Sequence, residues 1–183
     1  MSDDVYHEMF IHVVWHTKEN YRFIRPQMEQ LLYDFIRRRA LEPGGVYVHA
    51  IGGTEDHVHL VARTNPNVPI PAWIGTIKGG SSHDINAHPD WPKSLQWQSG
   101  YGIVTFGQKD LNWVVDYVAN QKDHHRTGKV FDRLERIIAE ILNDANQDGK
   151  CPQPGGGPSI THRPQNAPPG FPQAPGTSGG NDV

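Results

Sequence analysis

The segment EDHVHLVA, Glu55 to Ala62, sets two histidines one residue apart in a run that otherwise reads as a buried strand. Alternate side chains of a strand point to opposite faces. His57 and His59 therefore share one face, and Val58, Leu60 and Ala62 share the other. Two imidazoles on one face of a central strand can converge on a single metal ion. A second set of chemically capable residues lies in DYVANQKDHH, Asp116 to His125. On a helix, Tyr117 and Gln121 stand four apart and so lie one above the other, with His124 nearly in line. Tyr117 falls off the apolar stripe of Leu111, Val115 and Val118. Either set alone is also compatible with a plainer role. The histidines can be partly exposed strand residues with ordinary hydrogen bonds, and the tyrosine can pack its ring and wet its hydroxyl.

The rest of the chain narrows the chemistry. There is no cysteine cluster and no H-E-x-x-H helix, which argues against a structural zinc or a zincin site. Lys78-Gly79-Gly80-Ser81-Ser82 lacks the upstream glycine spacing of a phosphate-binding P-loop, which argues against a nucleotide-driven motor. The 17 Lys+Arg against 20 Asp+Glu give a formal charge of -3, unlike a protein that coats duplex phosphate non-specifically, although a local basic groove remains compatible. The single cysteine, Cys151, fits a reducing compartment. The chain shows neither an apolar run long enough to span a bilayer nor a signal pattern at MSDDVYHEMF, so a cytoplasmic protein without a membrane partner is expected.

Those residues need elements to hold them. Tyr6 to Trp15 reads as a strand. Pro26 opens a helix running to about Ala40, with Met28, Leu31, Leu32, Phe35 and Ile36 at steps of three and four. Val46–Ile51 and His57–Arg63 flank the turn Gly52-Gly53-Thr54 as a hairpin. A second helix runs from Pro69 to about Ala87, and Tyr101–Phe106 is a fourth strand. A third helix spans Lys109 to about Arg126, and a fourth spans Phe131 to Asn143. The order β-α-β-β-α-β is the split βαβ, ferredoxin-like pattern. It predicts an α+β fold: an antiparallel sheet with helices on one face, a free face for a site, and an additional C-terminal helix pair. Residues 1–145 form one domain. From Asn146 to Val183 Pro, Gly, Gln and Ser dominate, too little apolar surface to offset ordering entropy, and a disordered tail is expected.

At these positions the sequence resembles the single-tyrosine transposases of the HUH nuclease superfamily, which include small insertion-sequence and REP-associated tyrosine transposases. His57-Val58-His59 stands at the His-hydrophobic-His motif, preceded by Asp56. Tyr117-Val118-Ala119-Asn120-Gln121 stands at the Tyr-x-x-x-Gln helix. Trp97-Gln98-Ser99-Gly100-Tyr101, Thr105-Phe106-Gly107, His12 to Lys18, Ile77-Lys78-Gly79 and Ser81-Ser82 extend the match over about residues 5 to 130. The resemblance implies an endonuclease that cuts and rejoins single-stranded DNA through a 5′-phosphotyrosine on Tyr117. It implies Mg²⁺ or Mn²⁺ held by His57, His59 and Gln121, with Asp56 and His124 as supporting residues. DNA contacts are expected from Lys18, Arg22, Arg63, Lys78 and Trp97. The implied partners are single-stranded DNA with imperfect hairpins, met at the nucleoid, and a second copy of the chain. In such a dimer the tyrosine helix can complete either subunit's site, with Gly107 and Gly128 as hinges. Two alternatives differ in class. One is a domesticated or non-catalytic nucleic-acid module on the same sheet. The other is a histidine-triad hydrolase, which Val61 at the third triad position argues against.

Overall fold

The structure, a computed structural model, describes residues 6–137. The expected boundary near residue 145, the Pro/Gly-rich tail and Cys151 lie outside the described residues. Four strands, β1 (Phe10–His16), β2 (Val46–Gly53), β3 (His57–Thr64) and β4 (Gly102–Phe106), form one sheet in the order β2-β3-β1-β4. Every neighbouring pair is antiparallel, with His16 opposite His57 and Val14 opposite His59. The α+β, ferredoxin-like reading holds.

Helices α1 (Pro26–Leu41) and α2 (Ile70–Ala87) cover one face. Proline suits the first turn of α1, where its missing N–H is not needed. Met28, Leu32, Ile36 and Ala40 recur every fourth residue and are all buried. Gly44 and Gly45, both at positive φ, end the helix and turn the chain into β2. Ile11, Val13 and Trp15 of β1 and Val58, Leu60 and Ala62 of β3 meet these helices in one apolar core. The Trp73 indole donates to Ala40 O at 2.9 Å and ties α2 to the end of α1.

The second face is roofed as well. Helices α3 (Leu111–Ala119) and α4 (Gln121–Thr127), and the single turn α5 (Asp132–Glu135), lie over it. Phe10, Val61 and Phe106 of the sheet pack there with Leu111, Val114, Tyr117, Val118 and Leu134. Gly52 makes this approach possible, because a Cβ at that position would stand 2.0 Å from Val118 O. The extra helices thus enclose a site on this face instead of leaving it open.

Two helix expectations need correction. The single helix from Lys109 to Arg126 is two, divided at Asn120 (φ −106°, ψ 22°), whose side-chain amide donates to Asp116 O. Asparagine competes for its own backbone in this way and breaks helices. The helix expected from Phe131 to Asn143 is, among the described residues, only four residues long, with Arg136 extended. Leu134 and Ile137 are both drawn into the core on either side of that break; residues 138–143 lie outside the described residues. No helix among the described residues is long and apolar enough to cross a membrane.

Candidate active site

β3 and β1 lie side by side at the centre of the sheet, and each sends alternate residues to the roofed face. His57 and His59 come from β3, and His12 and His16 from β1. His12, His57 and His59 are all buried. His57 Nδ1 lies 2.6 Å from Asp56 Oδ1 and 2.9 Å from Thr54 Oγ1. The hydrogen bond from His57 holds the Asp56 carboxyl down at about 2. An ionised carboxylate only accepts, so Nδ1 donates to Asp56 and Nε2 is the nitrogen left to face the cluster. His59 Nδ1 pairs instead with His12 Nε2 at 2.8 Å, again leaving its Nε2 turned inward. Burial lowers the His59 pKa to about 4 and that of His12 well below its ordinary value. Both rings are therefore neutral near pH 7, as a metal-ligating imidazole must be.

Tyr117 enters from α3 within the same chain. Its ring lies 6.3 Å from that of His59, centroid to centroid, and stacks on His124 (4.7 Å, 21°) and on Trp113 (5.7 Å, 21°). The hydroxyl accepts the Phe131 N–H at 3.0 Å and donates to Glu135 Oε1. Burial, seconded by Glu135, pushes the phenol pKa up to about 12. The other oxygen of Glu135, Oε2, stands 3.3 Å from His59 Nε2, 3.7 Å from His57 Nε2 and 3.6 Å from His125 Nε2. Burial alone would raise the pKa of Glu135, but the contacts with His59 and Tyr117 outweigh it and keep the group ionised.

Buried polar atoms normally find partners. Here His57 Nε2, His59 Nε2 and both side-chain amide atoms of Gln121 have no hydrogen bond, and Gln121 is only 1 % exposed. The donor atoms of His57, His59 and Glu135 lie within 4.8 Å of one another. Such a cluster, with the unpartnered Nε2 atoms of two buried imidazoles beside a carboxylate, fits a divalent cation.

Of the residues singled out in the sequence, His57, His59, Asp56, Tyr117 and His124 meet around this point, and Gln121 stands buried at the start of α4. The five expected DNA contacts lie elsewhere. Lys18 and Arg22 are exposed beyond the end of β1, and Arg63 is exposed near the far end of β3. Lys78 and Trp97 line a groove of about 440 Å³ beside α2. The Lys78 ammonium donates to Gln98 O (2.8 Å) and Gly100 O (2.6 Å), and the Trp97 indole to Ser81 Oγ (3.3 Å). Sequence reading passed over three participants: His12, His125 and Glu135. Alternation in β1 does put His12 on one face with His16, but only strand pairing brings it to His59. In α4, His125 reaches the Glu135 carboxylate while His124 covers the phenol. No spacing in the single turn of α5 distinguishes Glu135 from a surface glutamate.

Comparison with known proteins points to transposases. ISDra2 transposase TnpA of Deinococcus radiodurans is 25% identical over 122 residues, spanning 64% of this chain and 86% of that protein. A crystal structure from the same species, of a protein assigned provisionally as a transposase, superposes with a TM-score of 0.51 at 22% identity, covering 66% of this chain and 96% of the other. A REP-associated tyrosine transposase bound to a REP hairpin aligns over 89% of this chain and 95% of its own at 15% identity and a TM-score of 0.48. The family described as Transposase IS200 like matches residues 5–121, the span that carries both histidines, the tyrosine and the glutamine, and the chain belongs to that family.

Proposed function

We propose that this transposase cuts and rejoins single-stranded DNA, with Tyr117 as the nucleophile and His57 and His59, joined by Gln121, as ligands of a divalent cation. One observation carries the reading. A single carboxylate, Glu135, holds the Tyr117 hydroxyl with one oxygen while the other faces both unpartnered imidazole nitrogens. Phenol and imidazoles thus meet within one chain, which supports use of Tyr117 in its own subunit.

Each residue has a physical task. Asp56 and Thr54 fix the His57 tautomer, and His12 orients His59. When bound, a divalent cation withdraws charge from a phosphate oxygen and makes phosphorus more open to attack. The Tyr117 oxygen then bonds to phosphorus as the bond to the 3′ oxygen breaks, leaving a 5′-phosphotyrosine and a free 3′-OH. The phenol proton passes to Glu135, the nearest acceptor, and the departing 3′ oxygen takes up a proton from solvent in exchange, so that the step balances. Because the ester link conserves the energy of the broken bond, a second 3′-OH can reverse the reaction without ATP. Beside the phenol, an open groove of about 460 Å³ lined by Trp113, Tyr117, His124 and Phe131 gives a strand room to approach and bases a surface to stack on. The substrate in this reading is single-stranded DNA with imperfect hairpins.

Labelled hairpin oligonucleotides from the gene's own flanks, incubated with Mg²⁺ or Mn²⁺, test it. A denaturation-resistant adduct is expected, absent with Tyr117→Phe and with His57→Ala. Mixing those two variants is expected to restore nothing; recovery would show that the tyrosine works across subunits. An adduct that survives Tyr117→Phe rejects the assignment of the nucleophile.

A further inference from the structure

We propose that Glu135 and His125 join His57, His59 and Gln121 around the ion, and that this imidazole-rich set takes a first-row transition ion such as Mn²⁺, Co²⁺ or Zn²⁺ in preference to Mg²⁺. This rests on the reading of His57 and His59 as ligands.

The geometry is specific. With nitrogen and oxygen ligands at about 2.0–2.1 Å, neighbouring donors stand about 2.9–3.4 Å apart, whether the ion is octahedral or tetrahedral. Glu135 Oε2 stands 3.3, 3.7 and 3.6 Å from the Nε2 atoms of His59, His57 and His125, within or just above that range. The His57 and His125 rings are 4.7 Å apart. His125 lies outside the set whose donor atoms fall within 4.8 Å of one another. At 36 % exposed, it is the donor with the furthest to move.

Glu135 is held in place from both sides. Leu134 and Ile137 are buried next to it, and the Tyr117 hydroxyl is bonded to Glu135 Oε1 and to the Phe131 N–H. The next residue rests directly on the sheet edge, where a Cβ on Gly102 would stand 2.0 Å from Arg136 O. A side chain at residue 102 would thus displace the strand of backbone that presents Glu135. Donor chemistry decides the ion. Mg²⁺ prefers oxygen ligands and retains water in near-octahedral geometry, whereas imidazole favours the borderline first-row ions. The same carboxylate would then bridge cation and nucleophile, fixing the phenol beside the ion.

Cobalt titration of the full chain tests this through the visible d–d absorption, which reports the ligand field without reference to activity. One equivalent of Co²⁺ is expected to bind with an intense, low-symmetry spectrum, and a roughly thousandfold excess of Mg²⁺ is expected to leave it in place. Glu135→Ala and Glu135→Gln are expected to weaken binding at least about tenfold and shift the spectrum. His125→Ala is expected to do so by a smaller factor. Gly102→Ala keeps every donor and is expected to weaken binding by moving Glu135, with metal-free circular dichroism confirming that each variant folds. If His57→Ala loses cobalt while the Glu135 and Gly102 variants match the parent in affinity and spectrum, the completed donor set is wrong and the histidine reading stands. If His57→Ala also binds as the parent does, both fail. Displacement of Co²⁺ by comparable Mg²⁺ overturns the ion preference.

Discussion

Strands β1 and β3 present two chemistries at the same depth. On one face, Val13, Trp15, Val58, Leu60 and Ala62 are fully buried against α1 and α2. On the other, His12, His57 and His59 are just as dry. Burying a large hydrocarbon side chain contributes about 1.5–3 kcal/mol. An imidazole nitrogen buried without a partner costs free energy instead. One face thus stabilises the fold, while the other carries an unfavourable term that a bound cation would relieve. The dryness that makes the second face costly also keeps His59 neutral, and the residues that keep water out include Tyr117, the proposed nucleophile. What separates a core from a site here is therefore the chemistry of what is buried and left unpaired, and not the degree of burial.

The largest expected effect falls on the second face and on activity. Tyr117→Phe is expected to lower covalent adduct formation by at least about a thousandfold. It should cost about 1–3 kcal/mol in urea unfolding, since it removes two hydrogen bonds and no ring packing. Leu60→Ala, on the first face, inverts the pattern. Removal of a fully buried leucine is expected to cost about 2–5 kcal/mol in the same assay while leaving adduct formation by the folded fraction near the parent level. A large loss of stability in Tyr117→Phe, or a selective loss of activity in Leu60→Ala, would break the division.

The first face was legible in the sequence and the second only in part, for a physical reason. Met28, Leu32 and Ile36 announce a helix by their spacing, and Val58, Leu60 and Ala62 announce a strand by their alternation, because both periods are local. His57 and His59 were legible for the same reason, as were Tyr117 and Gln121. His12, His125 and Glu135 reach the site through strand pairing, a seven-residue helix and a single turn, none of them long enough or local enough to leave a period in the chain. Where the backbone departs from regularity, at Asn120 and Arg136, sequence periodicity extends helices that the protein ends; His125 lies in the short helix after the first break and Glu135 directly before the second.

Lys78 tests the comparison at its margin. The sequence suggests a contact to DNA phosphate, yet its half-buried ammonium holds Gln98 O and Gly100 O, and burial lowers its pKa. Lys78→Met keeps the stem and leaves two carbonyls short of a donor. A loss of about 1–2 kcal/mol in unfolding free energy is expected, with at most a small change in the salt dependence of DNA binding. A variant with unchanged stability and a slope of log affinity against log salt reduced by about one would instead assign Lys78 to phosphate.

The smallest expected effect is the most discriminating. His12 and His59 hydrogen-bond each other in the dry interior, so replacing one alone strands its partner. His59→Leu is expected to cost about 1–3 kcal/mol without metal, because His12 Nε2 loses its hydrogen bond. In His12→Leu/His59→Leu both polar groups leave together. Replacing both members of a buried polar pair by apolar groups of similar size is often neutral or stabilising. Urea unfolding in the presence of a chelator is therefore expected to show the double variant within about 1 kcal/mol of the parent, or above it, although cobalt binding is gone. That outcome would mean that the histidines are kept for what they bind and add nothing to the packing. If the double variant is instead as unstable as Leu60→Ala, the imidazole face acts as core after all, and the contrast between the two sides of the sheet fails.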